Sequence, residues 1–133
     1  MKRIILGLSL FLMLVQNGFA FTDAEFDNNI ANSPNIMKAQ YWKCMKSVSN
    51  KNYLHSNEEE CLKALEIGKK YNISSETKAA IFFQLALLHS LKGDDYKKAY
   101  NYYMKVINLG QGPIKLAQRN LNITCKEHSW VCK

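Results

Sequence analysis

The chain has 133 residues, of which 47% are hydrophobic and 22% charged, with a formal charge of +7. That composition excludes a disordered or collagen-like chain and predicts one globular domain able to bury a core. Its lysines, spread through the chain, are taken as general solubilising charge that could also attract an acidic partner or an anionic envelope surface. With Arg119 the only arginine after Arg3, a clustered nucleic-acid surface is not expected.

The opening "MKRIILGLSLFLMLVQNGFA" has the pattern of a secretory signal. Lys2 and Arg3 precede an apolar run from Ile4 to Val15, and Gly18 and Ala20 supply small residues before a cleavage point at Phe21. The run is short for a span of about 20 apolar residues, and no later run is longer. The expected product is therefore an exported protein of residues 21–133, periplasmic or secreted, with no stable membrane anchor. A Lys-, Asn- and Ile-rich, Arg-poor composition fits an AT-rich bacterial genome, which favours the periplasm. The sequons at Asn72 and Asn122 would then be idle.

Residues 21–35 are polar, with Phe21, Phe26 and Ile30 as isolated apolar points. They predict an arm or one short helix ending at Ser33-Pro34. A helix is expected over 36–49, broken by "SVSNKN". Ser56-Asn57 opens the next, over 57–72, with Glu58, Glu59 and Glu60 in its first turn and Lys69 and Lys70 at its end, both suited to the helix dipole. A third runs from about Ser75 to Leu91 and stops at Gly93. From Ala79 to Leu88 only Gln84 is polar, so this helix must be covered on most sides. Asp94-Asp95 opens a fourth, over 95–110, and a fifth follows over 114–124. No segment alternates with period two. The fold class is all-α, with a helical domain over 36–133.

Cys44, Cys61, Cys125 and Cys132 are an even set in an exported chain, which implies two disulfides. Nearness in sequence favours Cys44–Cys61 and Cys125–Cys132. No C-x-x-C pair is present, so a zinc site or any other metal is not expected. His55, His89 and His128 lack motif neighbours, and His89, among leucines, reads as a satisfied core histidine. There is no phosphate loop, nucleophile elbow or H-E-x-x-H. Neither catalysis nor a cofactor is expected.

The helices at 57–72 and 95–110 superimpose at an offset of 38 residues, with Cys61 on Ala99, Leu65 on Tyr103 and Gly68 on Val106. The preceding helices keep that offset, with Cys44 on Phe82 and Val48 on Ala86. A period of this length built from helix pairs marks a solenoid array. Over 79–110 the chain resembles the tetratricopeptide repeat and its longer Sel-like relatives, through Phe82, Leu85, Ala86, Tyr96, Ala99, Tyr103 and Val106, with Gly110 closer to the Sel form. His89 stands in an aromatic's place, the Asp94-Asp95 turn has one residue too many, and the closing proline is missing. Over 41–72 the match is weak, and the arm has none.

The resemblance implies two stacked antiparallel hairpins plus a C-terminal capping helix, acting as an adaptor for another protein or peptide. Its concave groove would be lined by Ala80, Phe83, Leu87 and Leu91, with Tyr100 exposed nearby, unless the arm or the fifth helix fills it. Filling is the preferred reading. Small size, export, disulfides and no catalytic motif also fit an immunity protein that blocks a toxin such as a cell-wall hydrolase. Its contact would be carried by the 49–57 loop, through Lys51, Tyr53 and His55.

Overall fold

The computed structural model describes residues 21–49 and 52–133. Residues 1–20, expected to be a signal, and Lys51 lie outside the described residues. Within them are six α-helices and no strand, where about five helices were expected. The additional one is the arm. Thr22 and Glu25 form a reciprocal capping box that starts α1 (Asp23–Ala31), and Phe26 anchors it in the core.

Asn35 caps α2 (Ile36–Val48) by accepting from the Lys38 amide at 2.8 Å. A short 3₁₀ turn, Asn52–Leu54, connects it to α3 (Glu59–Tyr71). That helix closes at Asn72 with a left-handed φ of 50°. Ser74 caps α4 (Ser75–Lys92), which stops at left-handed Gly93. Asp95 caps α5 (Tyr96–Leu109), and Gly110 stops it. The last helix, α6 (Ile114–Glu127), runs into a second 3₁₀ turn at Ser129–Cys132.

Each helix packs on its neighbour in sequence, and α2 and α3 both also touch α4. The interior forms two clusters. Phe26, Met37, Met45, Ala64 and the Cys44–Cys61 disulfide build the first, into which α4 sends Ile81 and Leu85. The second gathers Val48, Ala99, Tyr103, Val106 and Ala117 around Ala79, Phe83, Ala86, Leu87 and Leu88 of α4. The near-continuous apolar run of α4 is explained by this double duty: the helix sends side chains into both clusters. A second disulfide joins Cys125 to Cys132 and closes the tail on the end of α6. No helix among the described residues is long and apolar enough to cross a membrane.

Candidate functional site

The four groove residues do not form a surface. Phe83 is 1% exposed and Leu87 is fully buried. Phe83 meets Tyr103 edge-to-face at 5.9 Å, and α6 supplies Ala117, Leu116 and Leu121 to the same cluster. Ala80 is half-buried against the first cluster and Leu91 against the second. Phe83 and Leu87, expected to line a groove only if nothing filled it, lie in the core with α6 packed on the same cluster. Tyr100 is half-buried, with the Lys97 ammonium 5.0 Å from its ring centre.

The connector between α2 and α3 is different. Tyr53 turns inward and packs on the second cluster, while Leu54 is 54% exposed and His55 is exposed beside it. Backbone and side-chain bonds hold this segment from several directions. The Asn52 amide donates to the Lys46 carbonyl at 3.2 Å and to Asp23 Oδ1 at 2.9 Å. The Ser56 hydroxyl donates to the Asn52 carbonyl at 2.8 Å, and Lys92 Nζ donates to the Ser56 carbonyl at 2.5 Å. A connector fixed in this way presents Leu54 and His55 with little ordering entropy left to lose.

Beside it opens a cleft of about 500 Å³, lined by residues that include Asp27, Lys43, Lys46, Asn52, His55 and Glu60. A smaller cleft shares Ser47, His55, Ser56 and Glu60 with it and extends to Lys63. The lining residues, Ile30 apart, are of polar type and carry both charges, while the stems of the lysines leave much of the larger cleft's wall apolar. Lys46 is paired with Asp27 at 2.7 Å and Lys63 with Glu59 at 3.0 Å. Gln40 Nε2 donates to the Glu60 carbonyl at 2.8 Å and to its carboxylate at 3.1 Å. The buried Cys44–Cys61 disulfide lies beneath, with Ser47 Oγ 3.9 Å from Cys61 Sγ. No group of His, Cys, Asp or Glu suited to a metal occurs among the described residues.

Behind the connector lies a charged junction. Glu58 does not serve as a first-turn residue of α3; it sits at the cap position without a capping bond. Its carboxylate accepts from Lys98 Nζ at 2.9 Å and faces His89 Nε2 at 3.2 Å, while His89 Nδ1 faces Asp94 Oδ1 at 2.9 Å. The His89 ring, 6% exposed, lies nearly parallel to that of Tyr102 at 6.2 Å. The Lys98 bond holds Glu58 below the usual carboxylate range; partial burial opposes this and the His89 bond adds to it. Inside the second cluster, burial drives the Tyr103 phenol well above its ordinary value, and the Ser90 hydroxyl at 3.1 Å only partly offsets this.

Two exposed apolar side chains stand outside any helical periodicity. Leu54 was not singled out, although an apolar residue in a polar connector is a signal in itself. Trp130, 61% exposed in the stapled tail, was passed over as well. Comparisons of the chain with known protein families, with curated proteins and with solved structures find no match.

Proposed function

We propose that the chain is a non-catalytic, exported binding module that holds another protein against the connector after α2. Its framework is read as two stacked helical hairpins of the tetratricopeptide or Sel-like kind, α2–α3 and α4–α5, capped by α6. Supporting this, α3 and α5 start within one residue of the 38-residue offset and end on it. The signal-like opening and the two disulfides support export.

The single observation that carries the reading is Leu54 with His55, both exposed on a braced connector, His55 also lining the cleft. Such a segment suits an inhibitor or immunity protein, which offers a preordered protrusion to the cleft of an enzyme such as a cell-wall hydrolase. The adaptor reading keeps the support of the repeat offset, but it needs the Phe83–Leu87 strip to open.

The test is affinity capture from an envelope extract of the source cell with the oxidised chain, comparing wild type with Leu54→Asp/His55→Ala. One stoichiometric hydrolase or toxin, retained by wild type and lost by the variant, is expected. A partner kept by that variant would overturn the connector as the contact. Several assembly proteins competed away by one peptide would return the adaptor reading.

A further inference from the structure

The basic charge of the chain is not evenly distributed. Residues 96–133 carry seven basic side chains against the single acid Glu127, while 21–95 carry nine against ten. The excess positive charge of the folded part therefore belongs to α5, α6 and the tail. All seven of those basic residues are exposed. Glu127 is the one acid among them, and its Oε2 atom is buried.

On α6 the charge forms a row. Lys115, Arg119 and Lys126 stand at positions i, i+4 and i+11, within about 40° of one another at 3.6 residues per turn. The inward face of the same helix is marked by buried Ala117, Asn120 and Thr124. The row is about 17 Å long at 1.5 Å per residue. Among the described residues none of these three forms an ion pair, nor does Lys133.

The row leads into the stapled tail. Here the Cys125–Cys132 bond closes the turn, Val131 is fully buried, and Lys97 Nζ donates to the Val131 carbonyl at 2.8 Å. The His128 ring stacks on Tyr96 at 3.7 Å. Held by these contacts, the turn leaves Trp130 standing 61% exposed.

We propose that this basic row and the Trp130 tip form a second binding surface, one that docks reversibly on an anionic lipid surface. An indole on a fixed tip has the amphipathic character that settles at the bilayer interface. Unpaired lysines beside it supply the attraction to anionic headgroups. A lipid surface needs no matching shape.

The test is co-sedimentation of the oxidised chain with vesicles of equal parts phosphatidylglycerol and phosphatidylcholine, and with pure phosphatidylcholine, while tryptophan emission is followed. Retention on the anionic vesicles alone is expected, with release in high salt, where the screening length falls to about 3 Å at 1 M. Each charge near the surface is worth about fivefold in partition, so Lys115→Gln/Arg119→Gln/Lys126→Gln should weaken binding by about a hundredfold. Trp130→Ala should remove the blue shift and weaken binding, with Trp42 left as the internal reference. These side chains are exposed, so both variants should melt as wild type does. No retention on anionic vesicles, equal retention on both kinds, or binding unchanged by either variant would overturn the proposal. Binding to poly-glutamate without binding to vesicles would replace lipid with an acidic protein.

Discussion

Replacing Glu58 by Gln tests how the connector is attached to the rest of the fold. The substitution keeps size and removes charge at a carboxylate that α4 and α5 both address, through His89 at 3.2 Å and Lys98 at 2.9 Å. Lys98 is about half exposed, so its bond, the main cause of the lowered Glu58 pKa, is weakened by screening. The bond to His89 reaches a ring that is 7% exposed, and a hydrogen bond to a charged group is worth about 1.5–3 kcal/mol. Discounted for the partial exposure of Glu58 itself, a loss of about 1 kcal/mol at neutral pH is expected, or roughly 4 °C in Tm for a domain of this size. The sign with pH follows from the depressed folded-state pKa of Glu58. Its stabilisation is complete above the unfolded carboxylate value of about 4 and disappears as pH falls through the lower folded value. Urea melts of wild type and Glu58→Gln should therefore differ at neutral pH and converge in acid. A double-mutant cycle with His89→Gln isolates the pair. A gap that persists unchanged in acid, or a coupling near zero, would refute the reasoning.

Two further outcomes follow from packing and crosslinks. Replacing Cys44 and Cys61 together by Ser should cost about 3 kcal/mol for a loop of 17 residues, measured by chemical denaturation. An unchanged midpoint, with free thiols found in the wild type, would remove that crosslink from the native protein. Phe83→Ala should cost about 3–5 kcal/mol in the same assay, and Phe83→Glu should abolish cooperative folding by burying an unpaired charge. A folded Phe83→Glu chain that loses a partner would instead place Phe83 on a surface.

Helix boundaries were the most legible part of the fold, because the residues that set them act locally. Gly93 and Gly110 stop helices where left-handed φ is required, and Asp95 caps by reaching only three residues ahead. The cysteine pairing was legible for the same reason: each pair is near in sequence. What the sequence could not decide depended on which distant segment covers which face. Phe83 and Leu87 look alike whether a groove is open or α6 closes it. Glu58 looked like a helix-dipole residue because its partners, His89 and Lys98, lie 31 and 40 residues away. The charge imbalance was available in the sequence but was hidden by counting over the whole chain. Leu54 and Trp130 were hidden by their isolation, since a periodicity search passes over single apolar residues in turns.

The double duty of α4 has a consequence for how this chain comes apart. In a long helical array each repeat leans only on its neighbours, so ends can fray while the middle survives. Here Ile81 and Leu85 complete one cluster while Phe83, Ala86 and Leu87 complete the other, all on a single helix. Neither cluster retains its interior without α4. Melting should then be all-or-none, and no fragment that stops before residue 92 or begins after residue 75 should fold. Through α4 the two clusters make one indivisible thermodynamic unit.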